Sequence, residues 1–409
     1  MDGMSLPRRA GVVAVLLASF ALAPAVAHAG DDRRQTTLLI SRALDGGLPD
    51  GPSTHAVISN DRRYARVIAF QSVASNLVRG DTNGVSDVFA VKRTGSINNR
   101  GTGWKIGKTV LISRTPSGVP ANGASYGAAV DGAFRHKPSC VAFLSQASNL
   151  VANDTNGRAD AFVKRLRGGK PRRISLPGRR QSPYDTTQVA VSGDCKLIAF
   201  VNNGTLYVWK GGRVKRIANG AADPSFSTGL RRDLVFGGAR GVYLARQGTG
   251  RPKLVAAGGR NPAYNDIKRR VVTYETSRGG HSQIGYHDLG RRERIISSRG
   301  GSSGNRDSRS PVIGNSGYYV TFESEASNLG VNALGRAGDS NGTADVYLFT
   351  DVRDLTLVQS VREKAVPVPG GGRNPSMSFY ANYIVFDSPG PLGARNGAHQ
   401  IYMRYLGPV

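Results

Sequence analysis

The chain has 409 residues, 39% of them apolar, with 53 Gly, 20 Pro and a formal net charge of +27. That balance excludes a disordered chain and supports a loop-rich β protein long enough to bury a large core. So basic a chain, if exported, suits polyanions such as wall polymers, lipid headgroups or acidic polysaccharide better than a specific nucleic acid. The competing explanation is compositional bias, because Lys and Arg are scattered over the whole sequence.

The N-terminus carries Arg8 and Arg9, an apolar run from Ala10 to Ala25, and Ala27-His28-Ala29. A basic start, a short apolar stretch and small residues at the cleavage positions predict a signal peptide over residues 1–29. The run is too short, and too interrupted by Pro24, for a bilayer span. The mature chain, with a net charge of +26 once Asp2, Arg8 and Arg9 leave, is expected to be secreted or periplasmic, with no transmembrane span.

The mature chain opens on TLLIS (37–41). AVIS (56–59), RVIAF (66–70), DVFAV (87–91) and VLISR (110–114) follow, then CVAF (140–143), DAFVK (160–164) and RRISL (172–176). Next come VAVS (189–192), LIAF (197–200), LYVWK (206–210) and VKRIA (214–218), then LVF (234–236), VYLAR (242–246) and PKLVA (252–256). The run continues with VVTY (271–274), IGYHD (284–288) and ERIIS (293–297), then PVIG (311–314), YVTF (319–322), DVYLF (345–349) and LTLVQ (355–359), and ends on YIVF (383–386) and IYMRY (401–405). Each segment is β-branched or aromatic and bounded by Gly, Asn or Asp turns, so each is read as a strand.

Three strand types recur seven times in fixed order, with a weaker fourth before the aromatic one. Four-stranded units repeated about an axis make a β-propeller. The predicted fold is therefore all-β, one propeller over 37–409 of about seven four-stranded blades. Because the chain starts on the first strand type and ends on the third, residues 37–41 are expected to complete the C-terminal blade and remove two exposed sheet edges.

The segments VSGDCKLIAF (191–200) and AFQSVASNLVRGDTNGVSDVF (69–89) resemble the repeat of TolB-like, PD-type (WD-repeat-like) propellers, in which S-x-D-G-(R/K) leads into an aromatic-ended strand. The resemblance covers nearly all of the mature chain. It implies a propeller fold, and it makes six the alternative blade count. The domain that precedes the propeller in TolB has no room here.

The most specific local motif is D-(T/S)-N-G-x-x-D, present as Asp81-Thr82-Asn83-Gly84 with Asp87, Asp154-Thr155-Asn156-Gly157 with Asp160, and Asp339-Ser340-Asn341-Gly342 with Asp345. Each follows an A-S-N-L segment, at Asn76, Asn149 and Asn328. Alternating oxygen side chains around a Gly turn suit Ca²⁺, which makes Asp81, Asn83, Asp87, Asp154, Asn156, Asp160, Asp339, Asn341 and Asp345 candidate ligands and calcium the one candidate cofactor. The alternative is structural: Asn-Gly makes the turn, the first Asp bonds backbone, and the last Asp starts a strand. Arg79 and Arg158 beside two of the loops weigh against a cation. These loops are expected at the periphery.

Cys140 and Cys195 form an even pair in an exported chain, so a disulfide stapling consecutive blades is expected over two buried thiols. Gly123-Ala124-Ser125-Tyr126-Gly127 matches G-x-S-x-G, but the strand-to-helix setting that motif requires has no counterpart here. None of the six His residues has zinc-like spacing, and no phosphate-binding loop opens a helix.

The functional expectation is an exported, monomeric, non-enzymatic binding or scaffold propeller that holds a protein or an anionic envelope polymer through one face. No catalytic and no cofactor-binding residues are assigned. The alternative is a propeller hydrolase or lyase, which would need three or four carboxylates converging on the axis, or a calcium-stabilised propeller.

Overall fold

In a computed structural model, the described residues are 36–62, 64–95, 104–175, 181–229, 231–267, 269–291, 293–314, 317–330, 339, 341–351, 355–360, 368–389 and 397–407. The predicted signal peptide lies outside them. Seven four-stranded antiparallel sheets form seven blades in sequence order. The count is seven, and six is excluded.

The innermost strands are Ser53–Ile58, Ser125–Val130, Thr186–Val191, Ala222–Phe226, Arg260–Asn265, Ser308–Ile313 and Arg373–Met377. Three of these correspond to the weak fourth strand read from the sequence. The other four had no periodic signal, because a register shift at a left-handed residue interrupts their alternation and they carry Gly or Pro.

The seventh blade takes its outer strand from Thr36–Leu39, which pairs with Gln400–Tyr405 in the register Thr36↔Tyr405 to Leu39↔Tyr402. The termini thus close the ring as expected, and one unpaired edge of the last blade disappears.

Five blade interiors are built on a stacked aromatic pair between the second and third strands. Phe70 stacks with Phe89, Phe143 with Phe162, Phe200 with Tyr207, Phe236 with Tyr243 and Phe322 with Tyr347, at centroid separations of 5.9, 5.7, 5.4, 5.6 and 5.7 Å. Such pairs add about 0.5–1.5 kcal/mol each beyond the area they bury. The fifth blade solves the position differently: Gly285 stands opposite Tyr274, and a Cβ there would meet the ring at 2.5 Å. That is why IGYHD lacks the aromatic its counterparts have.

Cys140, in the second strand of blade two, is disulfide-bonded to Cys195, in the first hairpin turn of blade three, with Cα atoms 6.3 Å apart. The expected blade-to-blade staple is present. Among the described residues no helix is long and apolar enough to cross a membrane.

Candidate functional site

The seven innermost strands enclose a central cavity of about 590 Å³. Its wall is shaped by a bulge that recurs near the start of the strand, where His55, Gly127, Asp223, Asn261, Ser310 and Asn374 adopt φ between +45° and +61°. A left-handed residue inside a strand turns its amide away from the sheet's own ladder, so each bulge needs an acceptor from elsewhere.

For five of these six residues, all but Asn261, the acceptor comes from the neighbouring blade. The residue after the stacked aromatic is Gln71, Glu275, Glu323 or Asp387 in blades one, five, six and seven. Gln71 accepts from Gly127 N at 3.0 Å, Glu275 from Ser310 N at 2.9 Å, Glu323 from Asn374 N at 2.8 Å and Asp387 from His55 N at 3.3 Å. Blades three and four use Gln188, whose Oε1 accepts from Asp223 N at 2.7 Å.

These carboxylates are held further. Glu275 also accepts from Asn261 Nδ2 and Arg260 Nε, and Asp387 from Asn374 Nδ2 and His399 Nδ1. Burial is the main cause raising the Glu323 carboxyl above its usual range. None of the three lines the cavity; among its described lining residues the sole carboxylate is Asp223, whose Oδ1 accepts from Gln188 Nε2 at 2.7 Å. The carboxylates near the axis are therefore latches between blades rather than a converging set.

The Asp-Asn-Gly loops connect second to third strands, and they stand on the face where the innermost strands begin. Ser125 N donates to Ser86 O and Thr186 N to Ala159 O, both at 2.7 Å. Their Gly84, Gly157 and Gly342 have φ of +67°, +63° and +68°, which the turn requires. Each Asn is a two-ended staple. Its Oδ1 accepts a backbone amide two residues on, from Val85, Arg158 or Thr343, and its Nδ2 donates to a carbonyl entering the next blade, at Ala121, Ser182 or Val368.

The closing aspartates Asp87, Asp160 and Asp345 each accept a serine hydroxyl from the outer strand, at Ser113, Ser175 and Ser360. The A-S-N-L asparagines bind the segment before the innermost strand of the same blade: Asp50 N donates to Asn76, Asn122 N to Asn149 and Asn305 N to Asn328.

The three loops differ in charge balance. In blade two Arg173 Nη1 lies 3.1 Å from Asp154 Oδ1 and 3.6 Å from Asp160 Oδ2. In blade one Asn83 Nδ2 reaches Asp87 Oδ2 at 2.5 Å, and burial pushes the Asp87 carboxyl up to about 6 with Asp81 contributing. In blade six burial, then the charge of Asp339, leaves Asp345 at about 7.

Among the described residues, the one gathering of three His, Cys, Asp or Glu ligand atoms is Asp131 with Cys140 and Cys195, whose sulfurs are already joined. Ser125, of the G-x-S-x-G match, is a buried strand residue sharing a hydrogen bond with Ser145 Oγ at 2.9 Å, with no helix after it.

Two surface clefts are lined by several cations each. On the opposite face a cleft of about 260 Å³ includes Asp61, Arg62, Arg66, Phe134, Arg135 and Lys137. Here Arg62 lies 4.2 Å over Phe134, and Arg66 pairs with Asp61.

A groove of about 660 Å³ runs along the outer strand of blade one beneath its Asp-Asn-Gly loop. It is lined by Arg42, Arg79, Lys108 and Arg114 with apolar Leu44, Leu77, Val78 and Ile106, and no Asp or Glu is among its described lining residues. Its four cations come from three separate segments, Lys108 and Arg114 sharing the outer strand of blade one and the turn after it. The sequence offered no run to mark them, and Leu44, at 60% exposure, was the one local anomaly.

No protein-family model matches the sequence, and no curated protein matches it. Solved structures do. The β-propeller domain of the trilobed protease from Pyrococcus furiosus matches with a TM-score of 0.50 at 8% identity, over 87% of this chain and 94% of that one. That domain is described as having an open velcro topology, whereas here Thr36–Leu39 closes the ring.

Virginiamycin B lyase from Staphylococcus aureus matches with a TM-score of 0.47 at 10% identity, over 91% and 98% of the two chains. A TolB candidate from Agrobacterium tumefaciens matches with a TM-score of 0.38 at 16% identity, over 54% and 73%. At these identities the likeness is one of fold: the protein is a seven-bladed β-propeller, an architecture shared by proteins of different function.

Proposed function

We propose that this protein is an exported, non-enzymatic binding propeller that captures an anionic polymer of the cell envelope on the face bearing its second-to-third-strand loops. The observation that carries this reading is the blade-one groove, where Arg42, Arg79, Lys108 and Arg114 converge with no carboxylate among the described lining residues. Four uncompensated cations beside an apolar floor concentrate the field of a chain already at +27. The disulfide suits an oxidising compartment. Binding is favoured over catalysis because the axial carboxylates Glu275, Glu323 and Asp387 already serve neighbouring backbone amides.

The test is titration with poly-L-glutamate and with polyphosphate at several salt concentrations. The affinity should fall steeply as salt rises. The pair Arg79→Glu with Lys108→Glu should weaken binding at least about tenfold, two charge reversals at about 1.4 kcal/mol or more together. Reversal of an exposed charge elsewhere, Lys170→Glu, is the control. Equal losses in the two would mean that diffuse charge binds these polymers, and the reading would fall.

A further inference from the structure

We propose that the blade-six loop binds a hard divalent cation, Ca²⁺, between Asp339 and Asp345. The site is independent of the cationic groove and rests on different residues.

The first observation is that Asp345, with 0% exposure, leaves its Oδ2 without a hydrogen-bond donor, and that Asp339 Oδ2 is likewise buried without one. A buried carboxylate oxygen with no donor is costly unless a cation meets it. Other atoms nearby are engaged: Asp345 Oδ1 takes the Ser360 hydroxyl, Asp339 Oδ1 accepts from Asn341 N, and the Asn341 side chain bonds Thr343 and Val368 while also favouring the charged form of Asp345.

The second observation is internal. The same motif in blade two holds a cation of its own, because Arg173 enters between Asp154 and Asp160. Arg173 pairs across the ladder with Phe162, and the equivalent partner of Tyr347 in blade six is Val358. Val358 has no charge to offer, so among the described residues no cation compensates the blade-six carboxylates.

Blade one does not repeat this: its counterpart is Leu111, but both Asp87 oxygens are taken, by Ser113 and Asn83. One site per chain follows. The donors are oxygen alone, with no Cys or His among the residues that form the loop, which selects a hard cation over a thiophilic one. Backbone carbonyls and water would complete the shell.

The experiment is titration of chelator-treated protein with CaCl₂ at pH 7.5 and constant ionic strength, read by calorimetry and by thermal unfolding. One Ca²⁺ per chain is expected, with a rise of the melting midpoint of about 3 °C or more at a hundredfold excess over Kd. Asp345→Asn and Asp339→Asn should each remove the heat and the shift while keeping the β-sheet circular dichroism. An unmoved wild-type midpoint in millimolar Ca²⁺ overturns the proposal without recourse to any variant. So does a full Ca²⁺ response retained in both Asn variants, or an equal response to NaCl at matched ionic strength.

Discussion

Blades two and six carry the same Asp-Asn-Gly loop and differ in what lies beneath it. In both, the Asn staples the loop to the next blade and the closing Asp takes a serine hydroxyl. In blade two the outer strand supplies Arg173; in blade six the same ladder position is Val358. The difference separates two jobs that the motif alone confounds. Turn geometry is met by Asn, Gly and Ser in both blades, while a cation of the chain compensates the two carboxylates in blade two and, among the described residues, none does in blade six.

The strongest way to break this comparison is Arg173→Met. If Arg173 is the built-in cation of blade two, its loss leaves Asp154 and Asp160 unpaired and should cost about 3–5 kcal/mol in denaturant unfolding at pH 7 without Ca²⁺. The variant should also bind a second Ca²⁺, since blade two would then resemble blade six. A loss under about 1 kcal/mol with no new site would show that Arg173 is an ordinary surface pair.

Protonation sharpens the contrast next. Burial holds Asp345 at about 7 and Asp87 at about 6, against 3.8 in an unfolded chain. The folded protein thus binds more protons than the unfolded one in this window. Metal-free stability should fall as pH rises from about 4 to about 7. Asp345→Asn should flatten the upper part of that slope, near pH 6 to 7, and Ca²⁺ should offset it in the wild type. A wild-type stability that rises across the window would contradict both assignments.

The smallest effect tests what the two blades share. Asn156→Ala and Asn341→Ala each remove one staple, and each should cost about 1–2 kcal/mol, alike in both blades and indifferent to Ca²⁺. A marked inequality between them would mean that the asparagines also serve the cation.

The outer, second and third strands of every blade were legible from the sequence, because aromatic and β-branched runs between Gly, Asn and Asp turns recur in fixed order. The innermost strands of blades two, four, five and seven were not. Their left-handed Gly127, Asp223, Asn261 and Asn374 break the alternation that marks a strand, and the amides of Gly127, Asp223 and Asn374 are satisfied by another blade. The Asp-Asn-Gly motif was visible, and its expected peripheral place needs correction, since these loops stack on the segments that open the innermost strands.

By itself the sequence determined the class of the molecule. Seven copies of one strand order leave a ring as the way to bury every sheet face, and a first strand displaced to the N-terminus dictates how that ring closes. Charge balance at each site belonged to the tertiary structure, because charge acts through space while motifs are read along the chain. Arg173 matters for its place between two carboxylates, and Arg42, Arg79, Lys108 and Arg114 matter because folding draws three distant segments around one groove.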